Sequence, residues 1–174
     1  RNFFYNKDLL DKFTSNCDCI VHLAGVNRDT NEKNINKINT ELAVKLIQSF
    51  ERIKFKGKLI FSSSYQEETK SLYGISKKEV RENFILASKR TGFEFTGLII
   101  PNVYGPFCKP NYNSFIATFC YQISREVDPK IINDNEVELI YVETLVKHII
   151  SFIKSKSIID FRISNEIKIR VSLV

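Results

Sequence analysis

The 174-residue chain has no methionine and no tryptophan, and only two histidines, four prolines and six glycines. With Arg1 as the first residue and no initiator methionine, it is expected to be a piece of a longer protein. The four cysteines, Cys17, Cys19, Cys108 and Cys120, fall in no CxxC pair, and only His22 and His148 could join them around an ion. No metal site is therefore expected, and the thiols should be reduced and mostly buried. No apolar run approaches the roughly 20 residues that cross a bilayer, and no signal-peptide pattern opens the chain. Membrane insertion is not expected, and a cytoplasmic protein is. The excess of 26 Lys+Arg over 20 Asp+Glu gives a net charge of +6. Such a charge attracts phosphates, but it is scattered rather than gathered into a block, so no nucleic-acid partner is expected.

What is present suits one α/β domain: 43% of residues are hydrophobic, enough to bury a substantial core. Cys19 to Leu23 is an apolar run ending in Ala24-Gly25, the pattern of a buried parallel strand entering a tight turn. A polar stretch from Asn27 to Ile38 leads into a helix with Ala43, Leu46, Ile47 and Phe50 on one face. Lys54, Lys56 and Lys58 surround Gly57 in what reads as a solvated turn. Lys58 to Phe61 is a second buried strand, and Ser62-Ser63-Ser64 should stand at its carboxyl end, the edge where open α/β sheets bind ligands. A helix is expected from Tyr73 to Arg90, with Val80, Phe84 and Ala87 inward, closing near Gly92. The strand Phe95 to Ile100 follows and stops at Pro101. Phe115, Ile116, Phe119, Cys120 and Ile123 recur at helical spacing and read as core, and Leu145, Ile149 and Phe152 are the inward face of a further helix. Short β-branched runs, Ile158 to Ile163 and Ile167 to Val171, end the chain. Strands and helices alternate without repeats or low-complexity segments, so the expected fold is a doubly wound parallel sheet.

Tyr73 and Lys77 lie four apart on the expected helix, which puts both side chains on one face about 6 Å apart along the axis. A cation there favours a phenolate, and a phenol with a free pKa near 10 needs such help to act as a base at neutral pH. Ser64, ending the adjoining strand, could then hydrogen-bond a substrate oxygen. The spacing alone is common in a lysine-rich chain. Its weight comes from order: Leu23-Ala24-Gly25 closing one strand, Ser62-Ser63-Ser64 closing the next, and Tyr73-Gly74-Ile75-Ser76-Lys77 opening a helix.

That ordered set resembles the extended short-chain dehydrogenases/reductases, the NAD-dependent epimerase/dehydratase family, and Asn102-Val103-Tyr104-Gly105-Pro106 strengthens the likeness. His22 to Arg28, Cys108 to Ser114 and Ile116 to Tyr121 narrow it to the reductase part of CapF-type capsular polysaccharide enzymes, over most of residues 8 to 150. The resemblance implies a Rossmann-like fold, with residues 1–174 as one partial domain. It implies Ser64, Tyr73 and Lys77 as the catalytic group. Leu23, Ala24, Gly25, Ser62, Tyr73, Lys77, Pro101, Asn102 and Val103 would lie at a dinucleotide, NADP(H) in preference to NAD(H). Asn27, Arg28, Ser64, Asn102, Lys109, Asn111 and Ser114 would lie at a UDP-sugar, since basic and amide groups suit anionic oxygens. Asn39 falls where the family often has a structural asparagine; a polar residue at a helix N-terminus is the other reading. The implied reaction is reduction of the C4 ketone of a UDP-linked 2-acetamido-2,6-dideoxyhexose, by a homodimer.

The sequence departs from this pattern at its missing glycine-rich turn, at Glu138 to Val142, a stretch shorter than in CapF-type enzymes, and at Ile99. A glycine-rich GxxGxxG turn, whose backbone approaches a pyrophosphate, is absent. The sheet is therefore expected to be incomplete at its N-terminus, with that turn, and any cupin that follows the reductase in CapF-type enzymes, outside these residues. Ile99 stands where many relatives carry an arginine. Tyr65-Gln66 after Ser64 offers no acidic pair, which favours a reductase or epimerase over a dehydratase. A scaffold that has lost cofactor binding is a third reading.

Overall fold

In the computed structural model, which describes residues 2–174, two short helices open the chain: α1 (Asn2–Tyr5) and α2 (Lys7–Ser15). Asn6 starts α2 by accepting a hydrogen bond from the Leu9 amide at 3.0 Å. Strand β1 (Cys19–His22) follows, then the long helix α3 (Lys33–Ile53). Strand β2 (Lys58–Ser64) runs into a 3-10 turn (Tyr65–Glu68) and helix α4 (Leu72–Thr91). Ser71 caps α4 from the Gly74 amide at 3.0 Å, and Gly92 closes it at a φ of 81°. Strands β3 (Glu94–Ile100) and β4 (Asn102–Tyr104), helix α5 (Phe115–Ile123), strand β5 (Glu136–Tyr141), helix α6 (Val142–Lys154), and strands β6 (Asp160–Arg162) and β7 (Ile167–Arg170) complete the chain.

The chain forms two compact units. The first holds the described residues up to Ile99 together with Phe152–Arg162, and the second holds Ile100–Ser151 with Ile163–Val174. In the first, four strands lie in the order β1-β2-β3-β6, with β1 parallel to β2 and β3 parallel to β6. Leu46, Phe50, Leu59, Phe61 and Phe84 are each 0–1% exposed and fill the space between this sheet and α3 and α4. The residues expected to face inward, Ala43, Leu46, Ile47 and Phe50 on α3 and Val80, Phe84 and Ala87 on α4, are all buried. In the second unit β5 is flanked by β4, parallel to it, and by β7, antiparallel to it.

Several local expectations are corrected. α3 begins at Lys33, so the polar stretch up to Ile38 is partly helical. The three serines belong to β2 itself, and Asn102–Tyr104 is a strand. β7 adds an antiparallel pairing to an otherwise parallel arrangement. Lys58 does not sit in a solvated turn: it is 8% exposed, donates to the carbonyls of Phe152 and Ser155, and lies 3.5 Å from Glu94. No residue of α5 is buried, so Phe115, Ile116 and Phe119 are half-covered, and Cys120 and Ile123 are exposed. Cys108 is exposed as well, while Cys17 and Cys19 are half-buried. Among the described residues no helix is long and apolar enough to cross a membrane, and no group of three or more His, Cys, Asp or Glu could hold a metal ion.

Candidate active site

Ser64, Tyr73 and Lys77 all lie in the first unit, on the end of β2 and the first two turns of α4. Ser64 caps the 3-10 turn by accepting from the Gln66 amide at 3.2 Å, which leaves its hydroxyl proton for an incoming acceptor. Tyr73 is half-buried and Lys77 is 5% exposed. The Lys77 ammonium donates to the Ser62 carbonyl at 2.8 Å and stands 4.7 Å from the Phe61 ring centroid and 5.7 Å from that of Tyr73. An ammonium has three donors, so two remain for a ligand's hydroxyls.

The exit of β1 is tied to this helix by a residue in the middle of α3. Asn39, 4% exposed, accepts from the Val26 amide at 2.7 Å and donates to the Val26 carbonyl at 2.9 Å and to Ser76 Oγ at 3.0 Å. Ser76 Oγ donates in turn to the Tyr73 carbonyl at 2.8 Å. Asn39 is thus not a helix N-terminal residue: it lies nearly two turns inside a helix that starts at Lys33 and braces the exit of β1 against α4. Leu23, Ala24 and Gly25 are exposed along this exit. A Cβ on Gly25 would lie 3.1 Å from Asn39 Oδ1 and 3.6 Å from Lys77 Nζ, so glycine brings bare backbone up to the lysine. Ser62 Oγ donates to the His22 carbonyl at 3.3 Å, joining the ends of β1 and β2. Among the other implied residues of this unit, Asn27 is half-buried and Arg28 exposed.

Burial sets the ionisation here. It pushes the Tyr73 phenol above its ordinary value of 10.0. It pulls Lys77 down to about 8, against a smaller opposing pull from Glu67. Burial therefore outweighs the lowering of Tyr73 by Lys77 expected from the spacing, and the ammonium donates to the Ser62 carbonyl. Tyr73 is therefore a neutral phenol at physiological pH, an acid with a proton to give. His22, stacked on Phe61 and edge-on to Phe84, is held neutral down to about 4, by burial first and by Lys77 second.

Pro101, Asn102, Val103, Lys109, Asn111 and Ser114 belong to the second unit. Asn102 donates to the Glu138 carbonyl at 3.2 Å, and Val103 is paired with Ile140. Asn111 has a φ of 55°, with its amide donating to Thr118 Oγ1 at 2.9 Å. Ser114 caps α5 from the Ala117 amide at 3.2 Å. Lys109 lies over the Tyr112 ring at 5.7 Å.

One cluster around a buried ion pair went unanticipated. Glu67, in the turn after Ser64, receives Ser63 Oγ and three N–H contacts from Arg81, which also meets Asp160. The signal was a charged residue on the inner face of α4: Arg81 follows Lys77 by four and precedes Phe84 by three.

A parallel α/β unit with a serine ending one strand, and a tyrosine and lysine four apart on the helix that follows, defines the short-chain dehydrogenase/reductase class. Residues 4–163 match the model of the NAD dependent epimerase/dehydratase family. The chain belongs to that family. It is 32% identical over 166 residues to a UDP-2-acetamido-2,6-beta-L-arabino-hexul-4-ose reductase of Pseudomonas aeruginosa, an alignment covering 93% of this chain and 42% of that protein. The crystal structure of the capsular polysaccharide assembling protein CapF from Staphylococcus aureus superposes with a TM-score of 0.77 at 27% identity, over 95% of this chain and 45% of that one. A UDP-N-acetylglucosamine 4-epimerase from Methanobrevibacter ruminantium shares the fold at a TM-score of 0.87 and 22% identity, over 98% and 62%. The chain thus spans less than half the length of the reductase it matches.

Proposed function

We propose that the protein is a nucleotide-sugar reductase that converts the C4 ketone of a UDP-linked 2-acetamido-2,6-dideoxyhexose to an alcohol, in the synthesis of a bacterial capsular or surface polysaccharide. The observation that carries this reading is the neutral Tyr73 phenol one helical turn from Lys77, on the helix that follows the strand ended by Ser64. The likeness to a reductase of such a keto sugar supports this substrate class and favours a reductase over an epimerase.

The residues present suit the nicotinamide-ribose end of a dinucleotide: Gly25 offers bare backbone, Lys77 has unspent donors, and Ser62 and Tyr73 flank it. The cofactor, when bound, supplies a hydride to the carbonyl carbon. Tyr73 gives its phenolic proton to the carbonyl oxygen as that oxygen gains charge, completing the alcohol, and recovers a proton from solvent. Ser64 donates to the same oxygen and orients the ketone. Lys77 would hold the ribose hydroxyls and, one turn from Tyr73, would stabilise its transient phenolate. NADP(H) in preference to NAD(H), a cytoplasmic location and a homodimer belong to the same reading, as do contacts from Asn27, Arg28, Asn102, Lys109, Asn111 and Ser114 to the UDP-sugar. Residues 1–174 are then part of one reductase domain.

The test is NADPH oxidation by the full-length protein with the UDP-4-keto sugar. Tyr73→Phe should cut turnover by about 10²- to 10⁴-fold, with NADPH affinity and melting temperature unchanged. Full turnover by that variant would remove Tyr73 from its role. A folded protein that binds neither NADPH nor NADH would instead support a non-catalytic binding module.

A further inference from the structure

The Ser63, Glu67, Arg81 and Asp160 cluster lies behind the acid/base group, and no step above uses it. Glu67 sits in the 3-10 turn that leaves Ser64, with its side chain only 5% exposed. On one side its carboxylate accepts the Ser63 hydroxyl, from the residue next to Ser64. On the other it takes Arg81 Nε at 3.0 Å to both oxygens and Nη2 at 2.7 Å, from the helical turn after Lys77. Asp160 on β6 accepts from the remaining arm of Arg81, and Gly97 on β3 makes room beneath it, since a Cβ there would lie 3.0 Å from Arg81 Cδ. One carboxylate therefore ties the strand that carries Ser64 to the helix that carries Tyr73 and Lys77. A buried ion pair is often replaceable by apolar residues without loss of stability, so stability alone does not account for this one.

We infer that Glu67 is a positioning residue for the ketone reduction, holding Ser64 in register with Tyr73 and keeping a compensating negative charge behind Lys77. This rests on the reductase reading. On its own helix Lys77 has Tyr73 and Arg81 one turn to either side, and β1 brings neutral His22 toward it. β2 offers only the Ser62 carbonyl and the Phe61 ring, α3 the uncharged Asn39, and the 3-10 turn Glu67. Glu67 is thus the anion that opposes the loss of the Lys77 proton.

The experiment compares Glu67→Gln, Glu67→Asp and Ser63→Ala in the full-length protein. Glu67→Gln should lower kcat about 10- to 100-fold with KM for the UDP-sugar little changed, as a small misplacement of reacting groups does. The alkaline limb of its kcat profile, where Lys77 discharges, should move to lower pH. Glu67→Asp should restore part of both. In cofactor-free protein, the midpoint for Lys77 deprotonation, read by NMR of labelled lysine, should fall in Glu67→Gln and stay in place in Ser63→Ala. Wild-type kcat with an unmoved Lys77 midpoint in Glu67→Gln would overturn the inference. Wild-type protein without keto-sugar turnover would sink the reductase reading instead, and the Lys77 midpoint alone would then decide whether Glu67 supplies the field. If Glu67→Gln does not fold, Ser63→Ala carries the kinetic arm: a fall of about tenfold supports the tie beside Ser64, and unchanged kcat overturns it.

Discussion

The two units of the chain hold their polar groups in opposite ways. In the unit that carries Ser64, Tyr73 and Lys77, the polar and charged residues Asn39, Ser76, Lys77 and Arg81 are 9% exposed or less, and each side chain has a hydrogen-bond partner. In the unit of residues 100–151 and 163–174, Ser114 is the one buried polar side chain among the described residues, and Phe107 and Ile132 stand fully open. The first unit is fixed by long-range contacts between elements far apart in sequence. The second is fixed more by strand ladders and exposed side-chain bonds, such as Thr144 to Glu166 and Ser172 to Asp134, with Ile100, Leu139, Ile140, Leu145 and Ile163 as its buried apolar centre. A buried network makes its members interdependent, whereas a cap acts alone.

That contrast can be broken by mutation. Arg81→Met leaves Glu67 buried and without its cation, and should cost about 3–5 kcal/mol in urea denaturation; a loss under 1 kcal/mol would mean the network is not interdependent. His22→Phe comes next. Because the folded His22 pKa is about 4, unfolded chains bind a proton between pH 6.5 and 4 that folded ones refuse, so acid draws the wild type toward unfolding in that window. Relative to wild type, His22→Phe should gain about 3 kcal/mol as pH drops from 7 to 4, measured by denaturation at each pH; a constant difference would show that His22 does titrate in the fold. Ser114→Ala should cost the least, about 1 kcal/mol, the ordinary worth of an N-cap. A larger loss there than for Arg81→Met would reverse the comparison.

What was readable in the sequence follows the same division. The apolar faces of α3 and α4 were legible because a 3.6-residue stripe states which side meets the sheet. Ser64, Tyr73 and Lys77 were legible by order along the chain, and the structure places them on the expected strand end and helix. The ionisation of Tyr73 was not, because spacing gives proximity but says nothing of where an ammonium points or how deeply a phenol is buried. Lys58 was misjudged for a related reason: a lysine beside a turn glycine reads as solvated, yet carbonyls at the end of α6, nearly a hundred residues away, receive it. In α5 the helical period was present, but periodicity cannot tell a covered face from an open one, and none of its residues is buried.

Gly74 adds a constraint of a different kind. A Cβ at that position would lie 1.9 Å from the Gln66 carbonyl oxygen and 2.6 Å from its carbon, both backbone atoms with no side-chain freedom to yield. The residue after Tyr73 is therefore filtered by steric exclusion before chemistry is consulted. Any substitution there separates helix from connector and alters the distance between Tyr73 and Ser64, so tolerance to mutation at position 74 is a gauge of how rigid the pair must be.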